Sequence, residues 1–224
     1  MIKLIVFDLE GTTVDDQNVV YNTLADLLNA EGYNITFKQV LRAAARKEKK
    51  EAIRSLVDQT GQKAKKDTID GLFAKFNEQL KRAYTELDVA PCPNADRVIP
   101  FLRTQNIKVV LNTEHHRFTA QHLLHRIKWW QGAQYDLLVT PEDVERSRPA
   151  PDMIQYAQNQ LGIPEAHKVA KVGDAPIDIT EGKNASCGLT IGITTGVHSL
   201  QQLNSAQPDH IIDDLEELIP ILNL

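Results

Sequence analysis

The chain has 224 residues, of which 42% are hydrophobic and 25% are charged, and its formal net charge is −5. This composition is typical of a folded globular protein and argues against disorder and against a strongly basic nucleic-acid-binding surface. No apolar run approaches the ~20 residues of a membrane-spanning helix, and two cysteines are too few for a disulfide framework. We therefore expect a soluble cytoplasmic protein that binds neither nucleic acid nor membrane. The sequence leaves open whether it is a monomer or a homodimer.

Short, unalternating apolar runs predict strands that are buried on both faces. Six such runs, the last one weak, lie at 4–7, 108–112, 137–140, 169–173, 189–193 and 210–212. Segments with the apolar spacing of helices lie between or after them, at 95–104, 118–127, 153–161, 177–185 and 215–222. Strands that alternate with helices of about ten residues are typical of parallel βαβ units. The sequence therefore predicts an α/β fold with a Rossmann-like three-layer core and a mostly parallel sheet.

Residues 14–90 interrupt this alternation. The segment contains no convincing strand, and its apolar spacing predicts helices at 19–30, 37–47, 49–58 and 68–87. We predict a helical domain inserted at 14–90, with hinges near 14–16 and 90–93, and a core formed by 1–13 and 91–224. Residues 37–66 hold ten basic and three acidic side chains. This run is either a solvated helix face or a positive lid over an anion site.

Candidate catalytic residues follow the first two strands, where open parallel sheets bind their ligands. Asp8 and Glu10 follow the first strand and precede a turn at Gly11. Such a pair can act as nucleophile and general acid/base, although an acid that closes a strand is also common. Asn112 and Thr113 end the second strand. The Thr113 hydroxyl can donate to a phosphate oxygen, or it can belong to an ordinary turn.

A second acid pair and a cation lie in later loops. Asp174 and Asp178 follow the fourth apolar run, and Arg148 lies between Ser147 and Pro149. Carboxylate oxygens are ligands that Mg²⁺ prefers, but aspartate at the start of a helix is also a common cap. The guanidinium of Arg148 suits a phosphate group, although a residue in such a loop can simply be exposed.

An acid pair, a hydroxyl, a cation and a second acid pair in this order resemble the haloacid dehalogenase-like superfamily of phosphotransferases and phosphatases. The resemblance covers essentially the whole chain and includes a helical cap inserted after the first motif. Within the superfamily the chain is most similar to the phosphonatase-like (phosphonoacetaldehyde hydrolase-like) subgroup. The segments that carry this closer resemblance are 49–56, 148–151 and 196–198.

The resemblance implies roles for these residues. Asp8 would be the nucleophile that forms an aspartyl-phosphate, and Glu10 would protonate the leaving oxygen and then activate water. Thr113 and Arg148 would take part in catalysis, and the phosphoryl group would be held by Gly11, Asn112, Thr113 and Arg148. The implied cofactor is Mg²⁺, with ligands from Asp8, the backbone carbonyl of Glu10, Asp174 and Asp178. Most phosphatases of the family have aspartate where Glu10 stands, and Glu114 places an acid beside the phosphate site.

Lys49 aligns in this resemblance with the lysine that forms a Schiff base in phosphonatases. Those enzymes carry an apolar residue at the position of Glu10, whereas an acid there suits an oxygen leaving group. We therefore expect a phosphatase that hydrolyses a small phosphorylated metabolite. The alternatives are cleavage of a carbon–phosphorus bond through Lys49, a phosphomutase, and a catalytically silent binding protein of the same fold.

Four histidines follow Thr113 closely. They are His115, His116, His122 and His125. Because no acid or thiolate stands at metal-ligand spacing beside them, we interpret the group as a polar helix surface.

Overall fold

The computed structural model describes residues 1–44, 49–61 and 66–224. Within these ranges the chain divides into two compact units. The core unit consists of Met1–Asp16 and Val89–Leu224, and the helical unit consists of Gln17–Asp88. The helical unit begins three residues after, and ends two residues before, the predicted insert of 14–90. None of the helices in the described ranges has both the length and the apolar character that crossing a bilayer requires.

The described strands, in chain order, are β1 (Leu4–Asp8), β2 (Val14–Asp15), β3 (Ala90–Pro91), β4 (Lys108–Asn112), β5 (Leu137–Val139), β6 (Val169–Gly173), β7 (Leu189–Ile193) and β8 (His210–Ile212). A six-stranded parallel sheet with the order β5-β4-β1-β6-β7-β8 forms the centre of the core unit. The predicted α/β fold with a mostly parallel sheet is thus confirmed. In register, Asp8 lies opposite Asn112 of β4, and Phe7 lies opposite Val172 of β6.

The described helices are α1 (Val19–Ala30), α2 (Phe37–Ala44), α3 (Lys49–Gln59), α4 (Lys66–Glu86), α5 (Ala95–Thr104), α6 (Arg117–Arg126), α7 (Asp152–Leu161), α8 (Pro176–Asn184), α9 (Leu200–Ser205) and α10 (Leu218–Ile221). In the core unit α5 packs on β4, α7 packs on β4 and β5, and α8 packs on β6 and β7. In the helical unit α1 packs on α2 and α4, and α3 packs on the same two helices.

Both faces of the sheet are buried, which explains the unalternating apolar runs. In β1, Ile5 and Phe7 belong to one apolar cluster, and Leu4 and Val6 belong to another. Successive side chains of a strand point to opposite faces, so the two clusters lie on opposite sides of the sheet. A strand in this position needs apolar residues at every place, and each residue of β1 is buried.

Two short strands correct the prediction that 14–90 contains none. Val14 pairs with Pro91, and Asp15 pairs with Ala90, in an antiparallel ladder at the two ends of that segment. The pairing is extended by a hydrogen bond from Cys92 N to Thr13 O of 3.0 Å. Two residues are too few to show a period, and the partner lies far away in the sequence, so no local pattern could predict this ladder.

The C-terminal region also differs from the prediction. Helix α9 was not predicted, although Ser199 Oγ accepts from Gln202 N and Ser199 N donates to Gln202 Oε1, a capping box that the sequence carries. The single helix predicted at 215–222 is a 3₁₀ turn at Leu215–Glu217 followed by α10. The helix predicted at 37–47 is observed as far as Ala44, and 45–47 lie outside the described residues.

Candidate active site at the carboxyl edge of the sheet

Three aspartates meet at the carboxyl edge of the sheet. Asp8 is the last residue of β1, and Asp174 follows the last residue of the neighbouring strand β6. Asp178 lies in the first turn of α8. All three are buried, and ligand oxygens of their carboxylates lie within 4.8 Å of one another. The structure therefore brings Asp8 together with the acid pair Asp174 and Asp178, which the sequence places about 170 residues further along the chain.

The loop after β1 turns tightly beside Asp174. Thr13 Oγ1 donates to the carbonyl oxygen of Asp8 over 3.0 Å, which ties the loop to the end of the strand. Gly11 has a φ of +76°, a conformation that side chains rarely adopt. A Cβ atom at Gly11 would also lie 3.1 Å from the carboxyl group of Asp174. Glycine at this position thus allows the backbone to approach the aspartates closely.

The polar groups of this loop differ from the predicted phosphate contacts. The N–H of Gly11 donates to Val14 O over 2.8 Å, so the turn itself uses this donor. The hydroxyl of Thr12 is fully buried and makes no hydrogen bond to a described residue. In this loop, Thr12 rather than Gly11 therefore offers a polar group that lacks a partner.

Asp178 serves both as a helix cap and as a member of the charge cluster. Its Oδ2 accepts from Ala175 N over 3.1 Å at the start of α8. Its Oδ1 lies 2.9 Å from Arg148 Nη1 and 3.0 Å from Lys171 Nζ. Burial alone would raise the pKa of Asp178, but Lys171 and Arg148 lower that pKa below its ordinary value. The structure therefore shows the helix cap, one of the two roles that the sequence left open for this residue.

Arg148 is buried rather than exposed in its loop. Only 5% of its side chain is accessible, and Nη2 lies 2.6 Å from Asp8 Oδ1. Nη2 also donates to the carbonyl oxygen of Asn112 over 2.8 Å. Burial opposes a charged guanidinium, but Asp8 and Asp178 raise the pKa of Arg148 well above its ordinary value. Arg148 is thus a fixed positive charge between two of the aspartates.

Asp8, the candidate nucleophile, lies in an environment that disfavours its ionised form. Burial raises the pKa of Asp8 well above its ordinary value, and the attraction of Arg148 offsets this effect only in part. Asp178 and Asp174 raise the pKa of Asp8 further by repulsion. Lys171 also lowers this pKa, but an ionised Asp8 still requires more positive charge at this edge than Arg148 and Lys171 provide.

Asn112 does not have the contacts that the sequence predicts. Its side chain is fully buried, with Nδ2 donating to Glu181 Oε1 over 3.0 Å. Its Oδ1 accepts from Lys171 Nζ over 2.6 Å. The amide is therefore part of the buried charge cluster and does not point to an exposed phosphate site.

Lys171 and Glu181 are the residues that the sequence analysis missed. Lys171 lies in β6 with no accessible surface, and its Nζ lies 3.2 Å from Glu181 Oε2. The signal was present in the sequence: a lysine within a strand predicted to be buried requires an internal partner. Glu181 stands three residues after Asp178, which places both acids on one face of α8.

Glu10 reaches the loop that follows β4. Thr113 Oγ1 donates to Glu10 Oε2 over 2.9 Å, and His115 Nε2 lies 3.3 Å from Glu10 Oε1. Burial raises the pKa of Glu10 to about 7, although the hydrogen bond from Thr113 opposes this shift. The interpretation of all four histidines as a helix surface was wrong for His115, which precedes α6 and faces an acid of the site.

Two further residues approach this edge. His198 Nδ1 is buried 3.7 Å from Asp174 Oδ2 and makes no hydrogen bond to a described residue. Glu114 is 46% exposed, and its Oε1 accepts from the backbone N–H of Arg148 over 3.2 Å. Glu114 thus supports the loop that carries Arg148.

Lys49 lies in the helical unit. It is the first residue of α3, and it is exposed. Its neighbour Lys50 forms an ion pair with Asp70 over 2.7 Å. The basic residues Arg46 and Lys47, which precede Lys49 in the sequence, lie outside the described residues.

The buried charges of the core unit suit a divalent cation. Four carboxylates and two cations are packed together, namely Asp8, Asp174, Asp178, Glu181, Arg148 and Lys171. If all are ionised, two negative charges remain without compensation, which is costly in a buried environment. Three carboxylates with converging oxygens supply the hard ligands that such an ion prefers.

Comparisons with known proteins point to one family. The sequence model described as haloacid dehalogenase-like hydrolase matches residues 5–191. Over 195 residues the chain is 29% identical to the bifunctional phosphonoacetaldehyde hydrolase/aminoethylphosphonate transaminase of Clostridioides difficile, and this match covers 82% of the chain but only 30% of that enzyme. It is 25% identical over 224 residues to the pyrophosphatase PpaX of Oceanobacillus iheyensis, covering 99% of the chain and 97% of that protein.

Solved structures show the same fold. A crystal structure described as that of a predicted phosphoglycolate phosphatase from Haemophilus somnus superimposes with a TM-score of 0.82. The superposition covers 99% of this chain and 98% of the other, at 20% sequence identity. At this identity the similarity establishes a shared fold only.

Proposed function

The chain belongs to the haloacid dehalogenase-like hydrolase family, and we propose that it is a Mg²⁺-dependent phosphatase that hydrolyses a small phosphorylated metabolite. The observation that carries this proposal is the meeting of Asp8, Asp174 and Asp178 beside the buried guanidinium of Arg148. Relatives named pyrophosphatase and phosphonoacetaldehyde hydrolase support a phosphorus-containing substrate.

Asp8 is the proposed nucleophile. One of its carboxylate oxygens attacks phosphorus as the bond from phosphorus to the leaving oxygen breaks, which gives an aspartyl-phosphate. Glu10 gives its proton to the leaving oxygen and then takes a proton from the water that attacks the intermediate. Inorganic phosphate leaves, and Asp8 and Glu10 return to their starting states. With a pKa of about 7, Glu10 is suited to both proton transfers.

Asp8, Asp174 and Asp178 are the side chains proposed to hold Mg²⁺, together with the backbone carbonyl of Glu10. When bound, the ion supplies the positive charge that an ionised Asp8 and a phosphate dianion need in the same buried place. Arg148 provides a further positive charge, since its Nη2 lies 2.6 Å from Asp8 Oδ1. The role of 14–90 as a cap that selects the substrate is part of the same proposal.

Hydrolysis of p-nitrophenyl phosphate, with Mg²⁺ and with EDTA, tests this function directly. We expect turnover that requires Mg²⁺ and that Asp8→Asn abolishes, because an amide is a poor nucleophile and a weaker metal ligand. Asp26→Asn, an exposed position in α1, is the matched control and should retain full activity. Turnover that persists with EDTA or in Asp8→Asn would contradict the proposal. A panel of phosphorylated metabolites and pyrophosphate would then identify the substrate.

Carbon–phosphorus cleavage is the second candidate, favoured by the similarity to a phosphonoacetaldehyde hydrolase. In that reaction Lys49 would form a Schiff base with the aldehyde. Borohydride reduction in the presence of phosphonoacetaldehyde would then attach the substrate covalently to the wild type and to Lys50→Met, but not to Lys49→Met. The position of Glu10 beside Thr113 and His115 favours an oxygen leaving group, which requires a proton, over a carbon leaving group activated by an imine.

A further inference from the structure

His115 lies in a loop that is fixed at several points. Its backbone N–H donates to Thr113 Oγ1 over 3.0 Å. The next residue, His116, has its Nδ1 2.9 Å from Glu142 Oε1. Arg117 N also donates to the carboxylate of Glu142, at the start of α6. The path of the chain from Thr113 to α6 is therefore determined by contacts that do not involve Glu10.

This loop reaches both oxygens of the Glu10 carboxyl group. Thr113 Oγ1 donates to Oε2 over 2.9 Å, and His115 Nε2 lies 3.3 Å from Oε1. The Glu10 side chain is 18% exposed, and that of His115 is 24% exposed, so the pair is largely shielded from water. Oε1 itself is buried and makes no hydrogen bond to a described residue. Among the contacts of the described residues, the ring of His115 is a polar group within reach of Oε1.

We propose that His115 is a positioning residue that, with Thr113, orients the carboxyl group of Glu10 toward the leaving oxygen. This inference rests on the proposed phosphatase function. Because the Thr113 hydroxyl occupies Oε2, Oε1 is the atom that carries the transferable proton. The Oε1–H bond breaks as an O–H bond forms on the leaving group, which takes the electron pair of the broken phosphorus–oxygen bond. The ring N–H of His115 then stabilises the negative charge that develops on Oε1.

Glutamate has one methylene more than aspartate, and this difference explains why the contact between His115 and the Glu10 carboxyl group matters. A longer side chain has more rotamers, so a carboxyl group at its end must be held at a fixed place if it is to protonate a leaving oxygen. The hydrogen bond from Thr113 to Oε2 and the 3.3 Å contact of His115 with Oε1 provide this restraint. His115 therefore compensates for the glutamate that stands where most phosphatases of the family have aspartate.

The test compares two substrates that differ in their need for a proton. Phenyl phosphate has a basic leaving oxygen, whereas p-nitrophenolate is a stable anion that leaves readily without protonation. In His115→Ala we expect kcat for phenyl phosphate to fall by about tenfold or more, while kcat for p-nitrophenyl phosphate and both KM values change by less than about threefold. In His115→Gln, whose amide nitrogen can take the place of Nε2, kcat for phenyl phosphate should recover.

His116→Ala is the matched control, because this neighbouring histidine is 85% exposed and contacts Glu142 instead of Glu10, while the two hydrogen bonds from Arg117 N still hold the loop to Glu142. It should leave both substrates unaffected. An equal loss for both substrates in His115→Ala, no loss for either, or the same pattern in His116→Ala would overturn the inference while leaving the proposed function intact. If the wild type shows no turnover, or only turnover that persists in Asp8→Asn, the proposed function is overturned, and the inference with it.

Discussion

Replacing Lys171 by methionine tests the buried charge cluster. Lys171 Nζ lies 2.6 Å from Asn112 Oδ1, 3.0 Å from Asp178 Oδ1 and 3.2 Å from Glu181 Oε2. All four side chains are fully buried. Methionine has a similar volume but neither charge nor donors, so Lys171→Met leaves two carboxylates and an amide oxygen without this partner. Arg148 is then the one buried cation that remains in the described cluster.

Breaking a buried ion pair by removing one partner costs about 3–5 kcal/mol, because the remaining charge is left buried. We expect a loss of this size in the free energy of unfolding of the metal-free protein. With an m-value of about 2–3 kcal/mol per M, the urea midpoint should fall by roughly 1–2.5 M. Lys168→Met provides the matched control. That lysine pairs with Glu165 at the surface, where solvent screens the ion pair, so its loss should change the free energy of unfolding little.

A double variant separates lost charge pairing from lost packing. In Lys171→Met/Glu181→Gln, one of the orphaned carboxylates becomes neutral, so the loss should be smaller than the sum of the two single losses by about 1–3 kcal/mol. Urea denaturation followed by far-UV circular dichroism measures the four proteins of this cycle, namely the wild type, Lys171→Met, Glu181→Gln and the double variant. A loss below about 1 kcal/mol in Lys171→Met, or strictly additive losses, would refute the argument that this lysine balances buried carboxylates.

Two other predictions concern the aspartates and Glu10. In the wild type, Mg²⁺ is expected to raise the melting temperature by binding the folded state. In Gly196→Ala the added Cβ would collide with the carboxyl group of Asp174, so this rise should be lost. Gly192→Ala should keep it, because the nearest neighbour of its added Cβ lies 3.5 Å away. Glu10 has a pKa raised from 4.5 to about 7, so the stability that its protonated form contributes is complete below pH 4.5 and is lost as the pH rises through 7. In EDTA, the free energy of unfolding of Glu10→Gln, measured by urea denaturation, should therefore rise relative to that of the wild type by about 3 kcal/mol between pH 4.5 and 8. A difference between the two proteins that does not change with pH would contradict this assignment.

Much of the core could be predicted from the sequence because its signals are local. The runs at 4–7, 108–112 and 169–173 are mainly apolar without alternation, a pattern typical of strands buried on both faces. Parallel strands then place Asp8 and Asp174 at the same edge of the sheet. The ladder of β2 and β3 could not be found in the same way, since it depends on two residues at each end of a long insertion.

Side-chain roles were harder to predict because the sequence does not give directions. Asn112 and Thr113 are adjacent, and both were expected at a phosphate. Asn112 instead contacts Lys171 and Glu181, while Thr113 contacts Glu10. Neighbouring residues at the end of a strand point to opposite faces, so one of the two had to face away from the other. A prediction that assigned both to one ligand ignored this alternation.

The glycines of the β6–α8 region show why Lys171 belongs with the aspartates and is not an accident of packing. A Cβ at Gly173 would overlap the side chain of Asp178, and a Cβ at Gly182 would lie 2.8 Å from the Cβ of Lys171. The backbone thus leaves space for both a buried acid and a buried base on the two elements that meet there, β6 and α8. Because each charge is unfavourable without the other, the cluster is stable only as a set. The same set leaves negative charge in excess at Asp8, so the packing that holds this proposed nucleophile in place also creates its need for a cation.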